Sequence, residues 1–354
     1  MNAELKKIID SIEPLDRGAM DRAQERLDSL SKPQGSLGRL EELARWLAGV
    51  TRQSRPRVSR KVIFIFAADH GVAEEGVSAF PAAVTPEMVR NFLRGGAAIN
   101  VLARQAGAEV VVADFGVAAD FSDQKELVSC KIGFGTANLA KGPAMTEAQA
   151  VKAILAGARL ALSEKERGAA LFATGDMGIA NTTAASALVA ALTGSPVEEV
   201  TGRGTGIDEE TFRRKVSVIR QALDVNRVDG GDPLAALARV GGFEIAGLAG
   251  VILAGAAAKT PVIVDGFISG AAALVACRLA PNKPVRDYLA MAHLSVECGH
   301  QRILRELALV PLLDFQMRLG EGTGAALAMP LLDAACAVFN EMATFQEASV
   351  SEKK

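Results

Sequence analysis

Residues 61–71 read KVIFIFAADHG, and the fold turns on them. Seven apolar residues follow Lys61 without a polar interruption, and the run stops abruptly at Asp69-His70-Gly71. A strand with one wet face alternates apolar and polar side chains, whereas an unbroken apolar run bounded by a loop suits a strand buried on both faces. The same pattern returns in EVVVADFG, ending at Asp114, in ALFAT, ending at Thr174, in PVIVD, ending at Asp265, and in LAMAHLS, ending near Ser295. Helical patterns fill the gaps. Thr85-Pro86-Glu87 offers a capping hydroxyl with proline at the first position, and Gly95-Gly96 stops that helix. A second helix runs to Gly107, and Thr146-Glu147 opens a third that closes at Gly168. Further helices follow: one of small residues to Leu192, a charged one over residues 209–225, a Gly-rich apolar one to Ala258, and one in GFISGAAALVACRLA. Buried strands alternating with helices specify a parallel α/β sheet.

In such a sheet ligands sit beyond the carboxyl ends of the strands. Asp69-His70-Gly71, Asp114-Phe115-Gly116, Gly175-Asp176-Met177-Gly178, Asp265-Gly266 and Ser295 therefore converge on one edge. Outside the sheet, Leu15, Met20, Ala23, Leu27 and Leu30 recur at helical spacing, as do Leu37, Leu40, Leu43 and Leu47. SKPQGSLG, residues 31–38, is the turn between them, and the pair forms a small helical layer. Near the other end Pro330 is expected to kink or delay the last helix, and the tail SVSEKK to lack order. No internal repeat of roughly 20 to 50 residues is present.

Composition narrows the function. The chain has 354 residues, 49% hydrophobic and 23% charged, enough for one large domain or two unequal ones. Aromatics are only 5%, and Ala, Gly and Leu dominate, which favours helices packed on a sheet over a β-sandwich. A net charge of −2 gives no basic field, so nucleic acid is excluded as a partner. Cys130, Cys277, Cys298 and Cys336 lie far apart and read as reduced thiols of a cytoplasmic protein. The charged N-terminus has no apolar signal core, and runs such as residues 245–258 fall short of the roughly 20 residues a membrane span needs. His70, His293 and His300 form no HExxH and no His/Cys cluster, so no metal is expected, and structural roles are expected for His293 and His300.

Two stretches carry chemistry. RLGEGTGAALAMPLLDA, residues 318–334, sets Glu321 between Gly320, Gly322 and Gly324 at the mouth of a helix that Thr323 can cap. An acid on such a loop can accept a proton from a bound base or hydroxyl. The helix dipole favours its ionised form, so burial under a ligand must win for a strong general base to result. A surface turn whose Glu only complements the dipole fits the same residues. GDMGIANTT, residues 175–183, joins a buried strand to a helix and offers backbone N–H groups and hydroxyls to an anion, with phosphate the natural one; tight strand-helix packing would also select its glycines. GRGTGID, residues 202–208, and GFGT, residues 133–136, are weaker turns, and neither is a dinucleotide fingerprint. No GxxxxGK[ST] occurs, and the DFG at Asp114 has no HRDxxxxN beside it. Lys215, on EETFRRKVSVI, either reaches a phosphate as a point charge or is simply solvated. Ser295 at a strand end can donate to a phosphate or a ribose.

Taken in order, KPQGSLGRLE, ADHGVAEEGVSAFP, NFLRGGAAINVLAR, GDMGIANTT, GRGTGID, DGFISGAAALVA, AHLSVECGH and LGEGTGAALAMPLLDAA resemble the nicotinate-nucleotide:dimethylbenzimidazole phosphoribosyltransferase family, over about residues 27–345. This family makes the α-ribazole phosphate of the cobalamin lower ligand. The resemblance implies a Rossmann-like parallel α/β domain over residues 61–324 and a small helical domain from residues 1–60 plus about 325–354. It also implies a homodimer that uses no metal and no cofactor. Nicotinate mononucleotide would bind with its phosphate in the Gly-rich loops, and a nitrogen of 5,6-dimethylbenzimidazole would displace nicotinate at the anomeric carbon with inversion. The substrate is already cationic at the bond that breaks, so the leaving group needs no metal. By resemblance Glu321 is the general base, and Phe80, Met88 and Leu319 line the aromatic-base pocket. Gly175, Asp176, Met177, Gly178, Asn181, Thr182, Gly204, Lys215, Asp265, Gly266, Ser295 and, beside Glu321, Gly320 contact the substrates. The loop that often reads GEMG in relatives reads GDMG here, so any auxiliary role of that carboxylate falls to the shorter Asp176. The accepted base could equally be adenine, another benzimidazole or a phenol. A dinucleotide oxidoreductase and a catalytically silent nucleotide-binding protein are the rival classes; the first lacks its GxGxxG.

Overall fold

The computed structural model describes residues 2–351; the last residues of the SVSEKK tail lie outside the described residues. Among the described residues six strands form one sheet: β1 (Lys61–Ala68), β2 (Ala108–Gly116), β3 (Val128–Ser129), β4 (Leu171–Met177), β5 (Val262–Val264) and β6 (Leu289–Met291). Their order is β3-β2-β1-β4-β5-β6 and every neighbouring pair is parallel. This is the Rossmann-like arrangement expected, and its strand order reverses between β1 and β4.

The run in β1 is unbroken because both its faces are covered. Val62, Phe64, Phe66 and Ala68 point into one core, and Ile63, Ile65 and Ala67 into another. The first core is closed by helices including Glu147–Glu166 and Phe243–Ala257, the second by Val84–Leu93, Ala98–Ala106 and Thr323–Glu341. The glycines of Phe243–Ala257 have a packing reason. A Cβ on Gly250 would strike the backbone of Ile154, and one on Gly157 the backbone of Gly247, so the two helices meet at backbone distance.

Several boundaries differ from the sequence expectation. β4 continues past Thr174 to Met177, because Gly175, Asp176 and Met177 stay paired with Ile65, Phe66 and Ala67 of β1. β2 likewise runs two residues beyond Asp114, and β6 is only Leu289–Met291, with His293 making an isolated bridge to Leu313. The Gly-rich helix is two, Pro233–Val240 and Phe243–Ala257, split at Gly241-Gly242. Thr85 does not cap; it lies inside Val84–Leu93, and its hydroxyl accepts the Ile179 N–H at 3.1 Å. Thr323 does not cap either, since its hydroxyl donates to Gly320 O at 2.8 Å. Pro330 does not delay its helix, which runs from Thr323 to Glu341 through it. By length and composition that helix could span a membrane, a possibility the apolar-run count overlooked; here Ala325, Ala326, Ala328, Met329 and Leu332 are spent on the sheet-facing core.

A third, smaller cluster joins Ala23, Leu27, Leu30, Ala44 and Ala48 to Ala335 and Phe339. The helix Ala3–Asp10 instead adds Leu5 and Ile9 to the first core, and Thr323–Glu341 serves the second core and this third cluster. We propose that the division expected near residues 60 and 325 separates packing layers rather than independently folding domains.

Candidate active site

A cavity of about 770 Å³ opens at the carboxyl edge of the sheet, beside the point where the strand order reverses. Of the expected site residues it is lined by Glu321, Asp176, Phe80, Met88, Leu319, Met177, Gly178, Asn181, Thr182, Gly204, Gly266, Ser295 and Gly320. Gly175, Lys215 and Asp265 do not line it; all three sit immediately behind its wall.

One wall is acidic. Glu321 lies in a loop packed so closely on β4 that a Cβ on Gly175 would come 2.6 Å from the Glu321 carbonyl oxygen. The residue is 5% exposed, and its Oε2 has no hydrogen-bond partner among the described residues. Burial pushes its carboxyl up to about 7, against the Ile99 backbone N–H at the start of the Ala98–Ala106 helix and with help from the nearby Asp265 charge. Desolvation by the protein's own packing therefore outweighs the dipole effect expected from sequence, and the helix end facing the carboxylate belongs to a different helix. Asp176, on β4, is held well above the usual carboxylate range by burial and by the charges of Asp265 and Glu244, while Asn181 Nδ2 donates to its Oδ2 at 2.9 Å. Asp265 is pushed up to about 6 by burial, opposed by His293 and by backbone N–H groups of residues 322, 324 and 325.

The opposite wall carries donors and a buried cation. Ala180, in the left-handed region at φ 70°, turns β4 into the Asn181–Thr193 helix, whose first turn faces the cavity. Behind it Lys215 is 1% exposed, not solvated, and its Nζ donates to Thr182 Oγ1 at 2.7 Å and to Gly202 O at 3.3 Å. Burial lowers its ammonium to about 8, with Glu297 opposing the shift. Ser295 Oγ accepts the Glu297 N–H at 3.3 Å, and the Ser295 N–H donates to His300 Nδ1 at 3.0 Å.

Other edge residues serve as supports. Asp114 accepts the Val117 N–H at 2.8 Å and pairs with Lys131 at 2.7 Å, away from the cavity. His70 Nε2 meets Glu244 Oε1 at 2.7 Å, both fully buried side chains. Burial alone would depress the imidazole, but Glu244 overrides it and raises it. Among the described residues no group of three His, Cys, Asp or Glu is set to hold a metal ion.

Sequence reasoning missed several wall residues. His293, expected to be structural, lines the cavity, as do Thr205, Glu297, Met317 and Arg318. Arg318 Nη1 donates to Gly204 O at 2.7 Å, and Thr205 Oγ1 accepts the Ala79 N–H at 3.0 Å, so three loops are tied together across the mouth. Arg318 sits three residues before Glu321 and was the one readable signal among them.

The family model described as a phosphoribosyltransferase matches residues 12–350. A nicotinate-nucleotide–dimethylbenzimidazole phosphoribosyltransferase of Chloroflexus aggregans is 58% identical over 99% of both chains, and that of Desulforudis audaxviator 57% over 99% of both. The crystal structure of the enzyme of that name from Thermus thermophilus superposes with a TM-score of 0.90 at 48% identity, covering 96% of this chain and all of that one. The chain belongs to the nicotinate-nucleotide–dimethylbenzimidazole phosphoribosyltransferase family.

Proposed function

We propose that the protein transfers the 5-phosphoribosyl group of nicotinate mononucleotide to 5,6-dimethylbenzimidazole, giving α-ribazole 5′-phosphate and nicotinate for the cobalamin lower ligand. The observation that carries the chemistry is Glu321, a buried carboxylate with a free oxygen on the cavity wall, titrating near neutrality. One benzimidazole nitrogen attacks the anomeric carbon from the face opposite nicotinate. The bond from that carbon to the nicotinate nitrogen breaks, its electron pair stays with nicotinate, and Glu321 takes the benzimidazole N–H proton. A pKa near the working pH suits this proton acceptor.

The phosphate is assigned to the Gly178–Thr182 turn, with Thr182, Gly204 and the Lys215 charge behind them, and Ser295 and Gly266 on the ribose side. Phe80, Met88 and Leu319 form the base pocket, and Asp176 is a candidate second acid. The rest of the work is holding the two reactants in line. We assign the protein to the cytosol, a reading supported by four free cysteines, and to a homodimer, supported by the exposed Phe80 and Leu319 at the mouth. The test is chromatographic detection of nicotinate released from nicotinate mononucleotide, with and without 5,6-dimethylbenzimidazole. Base-dependent release with an α-ribazole phosphate peak is expected. Nucleotide binding without release, across a panel including adenine and phenol, would leave a silent binder.

A further inference from the structure

The loop that carries Glu321 holds three consecutive residues in the left-handed region, Gly320 at φ 82°, Glu321 at 62° and Gly322 at 89°. Glycine adopts this freely, but glutamate does so only when its surroundings hold it there. The holder is Asp265, which follows β5 and is fully buried. Its Oδ2 accepts the Gly322 N–H at 3.1 Å and its Oδ1 the Ala325 N–H at 2.9 Å. Gly322 is the N-cap of the Thr323–Glu341 helix and has no side chain to cap with, so Asp265 supplies the cap from 57 residues away. Asp265 is itself anchored, its N–H donating to Thr174 Oγ1 on β4 at 3.3 Å.

We infer that Asp265 is a positioning residue for the transfer: by capping the helix behind Glu321 it locks the left-handed loop that points the carboxylate at the substrate, without touching the nucleotide itself. The inference rests on Glu321 being the proton acceptor. The charged and titratable groups facing the pair are His293, whose Nε2 is 3.9 Å from Asp265 Oδ1, and Asp176, packed under Gly320; Glu297 and Arg318 share the cavity. Asp265 also repels the ionised Glu321, so removing its charge lets Glu321 ionise at lower pH.

The experiment compares wild type, D265N, E321Q and the double variant, with turnover measured across pH and nicotinate mononucleotide affinity by calorimetry. D265N is expected to lose roughly 30- to 100-fold in kcat, the scale of a misplaced catalytic group. Its nucleotide Kd should stay within about twofold, and the acid limb of its kcat/KM profile should move to lower pH. In the E321Q background the same substitution should cost less than about threefold, because the group it positions is gone. A Kd that weakens as much as kcat falls, an unmoved limb, or a full loss on top of E321Q would each overturn the inference. Should D265N fail to fold, Thr174→Val decides: a smaller kcat loss at unchanged Kd supports the anchor, and no loss overturns it. If wild type transfers to no base, the function reading fails separately, and the titration of Glu321 by carbon-13 NMR in D265N still tests the coupling.

Discussion

The two walls of the cavity reach buried charge by opposite routes. On one, Glu321 and Asp176 stand in front of Asp265; burial pushes all three carboxyls up, and the Asp265 charge adds to the rise of the other two. On the other, Lys215 is buried as deeply, yet its ammonium at about 8 stays mostly charged at neutral pH and hands its field to the cavity through Thr182. The acidic wall is a reservoir for protons, and the basic wall is a fixed receptor for an anion. A substrate that brings its own phosphate and asks for one proton to be removed uses both. Changes on the acidic wall should therefore act on kcat, and changes on the basic wall on KM.

The hardest test of that division is Glu321→Gln, which should lower kcat about 10³-fold with the nucleotide KM nearly unchanged. The same variant should be more stable at pH 8. Glu321 titrates near 7 in the fold against an ordinary 4.5, so the native state holds more protons than the unfolded chain between those values. Stability therefore falls as pH rises through that window, and glutamine removes the penalty, worth at most about 3 kcal/mol at roughly 1.4 per unit. Thermal melts at pH 5 and pH 8 check the sign: a gain at pH 8 that is absent at pH 5 is expected. Gly175→Ala comes next. Its new Cβ would press on the Glu321 and Gly322 backbone at 2.6 to 2.8 Å, and kcat should fall about tenfold or more while nucleotide binding survives. A rise in KM alone would place Gly175 with the phosphate loop instead.

Across the cavity Lys215→Ala should raise the nucleotide KM about 10- to 50-fold, with kcat changed far less. In the wild type that KM should itself climb as pH passes about 8 and the ammonium loses its proton, a rise the variant should lack. A large kcat loss at constant KM would dissolve the distinction between the walls.

The sheet was legible in the sequence because a strand buried on both faces reads as an unbroken apolar run, and β1 does from Val62 to Ala68. The edge that holds the cavity was legible for the same reason, since parallel strands leave their loops on one side. Glu321 stood out through its glycine neighbours, but its left-handed φ and its cap could not be read. Both depend on Asp265, and no local pattern links residues 265 and 321. Lys215 looked like one more charge on an amphipathic helix, since burial is settled by what packs over it. The His70 and Glu244 pair, 174 residues apart, left no trace for the same reason. What stayed hidden is mainly pairing between distant polar groups, where a single sequence carries no period to read.

Ser295 is where the comparison is finest, because it stands on the cavity wall near both charge systems. Its hydroxyl accepts the Glu297 N–H, which leaves its O–H free to donate to a ligand. Its backbone is held by His300 Nδ1, and His300 is kept neutral by burial and by His293, down at about 3, so that the acceptor persists at any working pH. Ser295→Ala removes the donor and leaves this backbone anchor intact. A single neutral hydrogen bond is worth about 0.5 to 1.5 kcal/mol, so the nucleotide KM should rise roughly 2- to 10-fold with kcat nearly constant. The measurement is steady-state kinetics at saturating base. A kcat loss near 100-fold at constant KM would mean that the hydroxyl serves the transition state, and Ser295 would then belong functionally with Glu321 rather than with Lys215.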